Sequence, residues 1–325
     1  MLHSRWSPVR HMAILLCLFL GGTSHAFAAA DSPMHLVVPY GPGAMGDTLA
    51  RLLSQHLSQA LGQPVIVDNR AGAAGNIGTG AAARLGSEDN TLLIAPTNNL
   101  VINQFLYPSL GFDPLATLQP VALLADVPMA IFVRAQEPST SWQAFRNHAQ
   151  AHKGRLSYAT PGAGSTVHLF SEMLSREYGW DMIHVPYRGA AQAMSALLGG
   201  EVDMLVIGAG VGAPYVKDGR LHMLAVSSQS RLPAFPDVPT FAEVGIDIAA
   251  ENWWALAAPT GMPIGKVERI HDEVERIMAL PEVARRLQAL GVVHRNATPQ
   301  EMASRWRIEA DQWSRVVRQT GIKAD

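Results

Sequence analysis

Short β-branched and apolar runs alternate along this chain with segments whose apolar residues recur every three or four positions. That is the pattern of strands joined by crossover helices. In the first half it predicts strands at 35–39, 65–69 and 91–96 and helices at about 47–61 and 76–85. The first helix places Leu49, Leu52, Leu53, His56, Leu57, Ala60 and Leu61 on one face, and Gly62 stops it. Proline-rich punctuation from Tyr107 to Pro120 leads into strands at 121–124 and 130–133, after which a second alternation begins. Its helices are expected at 142–152, 166–178 and 191–198, and its strands at 156–159, 183–185, 203–207 and 221–227. A turn-rich connector at 233–239, a strand at 253–258 and helices at about 264–280 and 299–320 complete the chain.

The pattern is therefore an α/β fold of two lobes on parallel sheets. The last strand and helices have no sheet of their own, so they are expected to pack back on the first lobe, joining the lobes by two crossings. Such a connection permits hinge closure on a ligand between the lobes. The lobes are expected at 31–131 with 252–325, and at 132–251.

The N-terminus changes the compartment. Arg5, Arg10 and His11 precede an apolar run, 12–20, and then small residues at Ala26, Ala28, Ala29 and Ala30. This reads as a cleavable secretory signal peptide over 1–30, which implies export to the periplasm. The run is too short to span a bilayer. The single cysteine, Cys17, falls inside the leader, and the preceding Leu15-Leu16 lacks the small residue of a lipid-attachment box. The 325-residue chain is 48% hydrophobic with 25 basic and 27 acidic residues; without Arg5 and Arg10 the balance becomes 23 to 27. A cysteine-free, mildly acidic chain excludes a disulfide framework, and it lacks the concentrated basic face of a nucleic-acid binder.

Three strand-end loops carry the candidate chemistry. In Tyr40-Gly41-Pro42-Gly43-Ala44-Met45-Gly46-Asp47 a strand passes through a glycine-rich turn directly into a helix, which aims free backbone N–H groups beyond the strand end. The bland alternative is a tight turn with Asp47 as N-cap. Thr160-Pro161-Gly162-Ala163-Gly164-Ser165-Thr166 repeats the arrangement in the second lobe, with Ser165 or Thr166 able to cap the helix that follows. Pro96 is followed by Thr97, Asn98 and Asn99, three hydrogen-bonding side chains in a row. Converging backbone donors suit a carboxylate.

Other chemistry is carried less well. Gly41 to Gly46 also fits the G-x-G-x-x-G dinucleotide pattern, with Asp68 where a ribose-binding acid belongs. Against it, Asp47 sets a carboxylate beside the pyrophosphate and Pro39-Tyr40 separates strand from glycine. His148 and His152 are spaced for a metal but have no evident third ligand, so a polar helix face is expected and no metal site. Ser165 lacks a nucleophile elbow, and His168 has no orienting acid. Arg51 is the expected ion-pair partner of Asp47, and Trp253-Trp254 is expected to be core. No catalytic residue and no cofactor are expected. The competing function is a periplasmic oxidoreductase or hydrolase acting on a carboxylated substrate.

Six stretches resemble, in order, the substrate-binding receptors of tripartite tricarboxylate transporters, the Bug-type proteins. They are LVVPYGPGAMGDTLAR (36–51), LGQPVIVDNRAGAAGNIG (61–78), 106–133, LSYATPGAGSTVHL (156–169), HVPYRGA (184–190) and LAVSSQSRLPAFPDVPTFAEVG (224–245). The resemblance implies a type II-like, two-lobed periplasmic-binding-protein fold. It also implies a small organic acid as ligand, membrane transporter subunits as partners, and the 40–47, 97–99 and 160–166 loops as the site; a monomer is expected. Where the family has glycines and then threonine, this chain has Ala44-Met45-Gly46. Where the family often has an acid, it has Ile207 before Gly208-Ala209-Gly210, and Glu88-Asp89-Asn90 replaces a usual Asp-Gly-Tyr turn. The first two departures imply a less polar pocket, suited to an aromatic or alkyl carboxylate.

Overall fold

A computed structural model describes residues 32–85, 90–136, 139–248 and 252–323. The leader expected at 1–30, Cys17, and Glu88 and Asp89 of the altered turn lie outside the described residues. The strands are β1 (Met34–Val38), β2 (Val65–Asn69), β3 (Thr91–Pro96), β4 (Leu118–Val127), β5 (Met129–Arg134), β6 (Ser157–Thr160), β7 (Ile183–Pro186), β8 (Met204–Gly208), β9 (Leu221–Val226) and β10 (Asn252–Pro259). They form two five-stranded sheets, in the orders β2-β1-β3-β10-β4 and β7-β6-β8-β5-β9.

Both sheets are mixed, where parallel ones were expected. β1 runs parallel to β2 and β3, and β6 parallel to β7 and β8, whereas β10 is antiparallel to β3 and β4, and β5 antiparallel to β8 and β9. Parallel neighbours need a crossover helix. A strand that arrives directly from the other sheet enters where the parallel strands leave, and so runs against them. The chain passes between sheets at Pro128, ahead of the 131/132 boundary drawn from the sequence. Both flanking strands are almost wholly buried, and in the apolar stretch 121–133 only Asp126 and Pro128 mark the passage, too little to read as a loop between lobes.

The longer helices are α1 (Met45–Leu61), α2 (Asn76–Arg84), α3 (Trp142–Ala151), α4 (Thr166–Glu177), α5 (Ala190–Gly199), α6 (Ala209–Lys217), α7 (Ile264–Met278), α8 (Pro281–Ala289) and α9 (Pro299–Thr320). Gly62 ends α1 in the left-handed conformation, φ +68°. The Ser141 hydroxyl caps α3 and a Thr298/Glu301 capping box starts α9. Two helices were not expected. α6 holds Gly210, Gly212 and Pro214, poor helix formers in isolation, and forms because tertiary contact demands it: a Cβ on Gly212 would lie 2.3 Å from the Phe132 ring. α8 opens on Pro281 directly after α7, the proline serving as a helix start.

Helices cover both faces of each sheet. Leu36, Val38, Leu92, Ile94 and Leu256 pack on α1, α7 and α8, while Val37, Leu93, Trp253 and Ala255 pack on α9 through Met302, Trp306 and Trp313. The second sheet packs Tyr158, Met204 and Val206 against Trp142, Phe145 and Phe170, and Phe132, Leu205 and Ile207 against α5. Leu169 of α4 is fully buried within the first sheet's α9 layer, and Arg176 of α4 donates to the Thr320 carbonyl at 3.0 Å. The two lobes therefore meet in apolar contact beside the candidate loops.

Candidate functional site

The 40–47 loop is built around Asp47. Helix α1 starts at Met45 with Ala44 in the cap position, so Asp47 sits in the first turn and is not the N-cap. Its Oδ2 accepts the Gly43 N–H at 2.9 Å and the Arg51 Nε–H at 2.9 Å, the ion pair expected from their spacing. These bonds, that from Arg51 first, hold the buried carboxyl below the usual carboxylate range. Gly43 is left-handed, φ +83°. Gly46 is required by proximity: a Cβ there would stand 2.6 Å from the Trp254 ring and 3.1 Å from Val38. The carboxylate is thus spent on shaping the loop, leaving the first-turn N–H groups at Met45 and Gly46 as donors.

The second loop is bound to the first. Tyr40 donates its hydroxyl to Asn99 Oδ1 at 2.7 Å, and its ring meets Trp254 edge-on at 5.8 Å. Burial pushes the phenol pKa up, so it stays a donor. Asn99, fully buried, donates from Nδ2 to the Ala74 carbonyl at 3.0 Å, tying in the loop after β2. Ala73 and Ala74 take left-handed φ values of +46° and +50°, a strain that this clamp maintains. Thr97 accepts the Trp253 N–H at 2.9 Å and donates to the Trp253 carbonyl at 3.2 Å. Of the three polar side chains read from the sequence, Thr97 and Asn99 are therefore committed to scaffolding. Asn98 alone reaches across, its Oδ1 accepting from the Thr166 hydroxyl of the other lobe.

The third loop hangs on two imidazoles. Ser165 caps α4, accepting the His168 N–H at 3.2 Å while donating to the Gly162 carbonyl at 2.8 Å. Gly164, φ +73°, donates its N–H to His168 Nδ1 at 3.1 Å. Thr160 Oγ1 lies 2.7 Å from His184 Nε2, and the His168 and His184 rings stack at 3.8 Å. Burial first, and the neighbouring His184 second, pull the His168 pKa down from 6.5 to about 4; burial lowers His184 too. Two stacked imidazoles this close stay neutral, which keeps Nδ1 of His168 an acceptor for the loop. His184 escaped the sequence reading of the site. Its signal was the HVPYRGA stretch, weighed there only for the resemblance.

The alternative chemistries find little here. The Ser165 hydroxyl meets a backbone carbonyl, not the His168 ring. Asp68 is paired with Arg70 at 2.7 Å. The His148 and His152 rings lie 4.2 Å apart and tilted at the C-terminal end of α3, and no metal-holding cluster exists among the described residues.

The sequence of 49–322 matches the model of the tripartite tricarboxylate transporter family receptor. The chain belongs to that family. Among solved structures the receptor is similar to the periplasmic binding protein BugD, at 29% identity and TM-score 0.73 over 90% of this chain and 99% of that one. It is similar to Rpa4515 of R. palustris, solved with adipate, at 29% identity and TM-score 0.77 over 90% and 99%. It is likewise similar to MatC of Rhodopseudomonas palustris, solved with bound malate, at 28% identity and TM-score 0.73 over 88% and 99%. These are two-lobed periplasmic binding proteins, and this receptor shares their fold.

One substitution tests the third loop of the receptor. Ser165→Ala is expected to lower unfolding stability by about 1 kcal/mol, the usual cost of a lost cap, and to weaken ligand binding because Gly162 loses its tether. Denaturant titration and calorimetric ligand titration read the two effects separately. Unchanged affinity in the variant removes this loop from the site.

Proposed function

We propose that this receptor captures a small organic acid between its lobes, as a non-enzymatic periplasmic binding protein that delivers the acid to a tripartite tricarboxylate-type transporter. The observation that carries the reading is the commitment of the loops' side chains to one another. With Asp47, Thr97, Asn99 and Ser165 holding the scaffold, what the site offers a solute is mainly backbone N–H at two helix starts, one in each lobe. Such donors neutralise a carboxylate without a buried cation. The Bug-like stretches, the leader over 1–30 and the adipate- and malate-bound relatives support the same reading. The lobes are taken as 31–131 with 252–325 and 132–251, their facing edge adjusted to the passage at Pro128.

Ala44, Met45 and Gly46 stand where the family places glycines and then a threonine, and Ile207, next to last in β8, is almost fully buried. These residues favour an aromatic or alkyl carboxylate over a tricarboxylate, and the relative solved with adipate supports an alkyl chain. Titration of ligand-stripped protein against adipate, benzoate and citrate tests both levels. Adipate or benzoate is expected to bind more tightly than citrate; tighter citrate reverses the specificity, and no binding of any acid overturns the function.

A further inference from the structure

A buried polar network links the candidate loop at Thr97 to the two strands on either side of the lobe junction. It starts where Thr97, deep in the first lobe, holds both backbone groups of Trp253 through its hydroxyl. Trp253 is fully buried on β10, the strand with which the chain re-enters the first sheet. Its indole N–H donates to both oxygens of Glu309 on α9, at 3.0 and 2.9 Å. Arg305, one turn earlier on α9, donates from Nε to Glu309 at 2.7 Å and lies 5.3 Å over the Trp253 ring. The same guanidinium reaches Asp126 Oδ1 at 3.2 Å, and Arg295 Nε donates to Asp126 Oδ2 at 2.6 Å.

Asp126 lies on β4, two residues before Pro128, where the chain leaves for the other lobe. Its backbone is also fixed, with N–H to the Val293 carbonyl at 2.7 Å and carbonyl to the Val293 N–H at 2.9 Å. The two carboxylates and two guanidiniums balance in charge, and three of the four side chains are no more than 19% exposed. Buried pairs of this kind are a poor source of net stability, because desolvation offsets their attraction. What they supply is geometry. Arg305 and Glu309 also line a cavity of about 780 Å³ whose far wall is Phe241, Ile246 and Ile248 of the second lobe. The network therefore sits where any change of angle between the lobes is felt.

We propose that Glu309 and Arg305 are positioning residues for the 97–99 loop: through Trp253 they set the Thr97 backbone, and through Asp126 they hold that loop in fixed relation to the strand leaving for the other lobe. The role rests on the reading that this loop meets the ligand, but it is measured without one. Native-state hydrogen exchange on the full chain reads the Trp253 N–H, bound to Thr97, and the Asn103 N–H, which closes the 98–102 turn on Asn98. Glu309→Gln keeps an acceptor for the indole and removes the charge that fixes Arg305. Loss of a charged hydrogen bond in this setting corresponds to about tenfold or more in a local equilibrium. Both amides are expected to exchange about tenfold faster in this variant, with amides of β6 unchanged. Glu301→Gln, which weakens the cap of the same helix away from Trp253, is expected to leave the two amides alone.

The proposal is overturned if both amides keep their wild-type rates in Glu309→Gln, if Glu301→Gln speeds them equally, or if all core amides accelerate together. Arg305→Lys, which keeps the charge and loses the fork, supplies a second variant if the first does not fold, with a smaller shift at the same amides expected. Failure of the protein to bind any carboxylate would overturn the proposed function while leaving this result intact.

Discussion

Acidification from pH 7 to pH 4 is expected to remove about 3 kcal/mol of stability through His168 alone, converting its pKa depression at the usual value per unit. In the folded protein His168 is buried and takes up its proton only near pH 4, whereas in the unfolded chain it does so at 6.5. Between those values the unfolded state binds more protons, so stability is complete above pH 6.5 and falls as pH drops towards 4. His184, lowered in the same direction, adds to the slope. The strain falls on the third loop, because a protonated Nδ1 can no longer accept the Gly164 N–H. Asparagine at this position presents a carbonyl oxygen in place of Nδ1 and does not titrate. Denaturant unfolding of wild type and His168→Asn across this range is the measurement; a variant with the same pH slope as wild type would show that the stacked pair does not set it.

Gly210→Val is expected to weaken ligand binding by about tenfold or more, since a closed form that must be forced open lowers apparent affinity in proportion to its lost population. Gly210, on α6 of the second lobe, touches Gly291 of the first: a Cβ on Gly210 would come within 2.8 Å of the Gly291 Cα and 2.9 Å of the Leu290 carbonyl. Both obstacles are backbone, so no side-chain rotation relieves them. The cheapest response is for the lobes to part. Small-angle scattering is expected to show a larger radius of gyration, and calorimetric titration with adipate a weaker affinity. A compact variant that binds as wild type would mean that the two glycines are not the limit on closure.

The arrangement also explains a loop rich in polar residues with few left over. Thr97, Asn98 and Asn99 look, in sequence, like three equivalent hydrogen-bonding groups. All three face partners that are distant in the chain: Thr97 meets Trp253, Asn98 meets Thr166 of the other lobe, and Asn99 meets Tyr40 and Ala74. A sequence shows that a polar side chain is present at a strand end but not whether the fold has already claimed it. Ser165 was legible as a cap because capping is local, spanning three residues. The Asp47–Arg51 pair was legible for the same reason, at one helical turn.

What the sequence determined by itself was therefore everything set by short range: the alternation of strands and helices, the glycine turns that open α1 and α4, and the family resemblance carried by contiguous stretches. What only the tertiary structure decided was direction and partnership. β10 and β5 run against their sheets because they arrive from the other lobe, and within an otherwise apolar stretch the passage is marked only by Asp126 and Pro128. α6 exists against its own propensities because Phe132 and Gly291 leave room only for its glycines. The His168–His184 stack and the Asp126–Arg305–Glu309–Trp253 network join residues far apart in sequence. Hydrophobic periodicity is blind to such pairs, since burial and charge balance at each of these positions depend on which elements the sheets bring together.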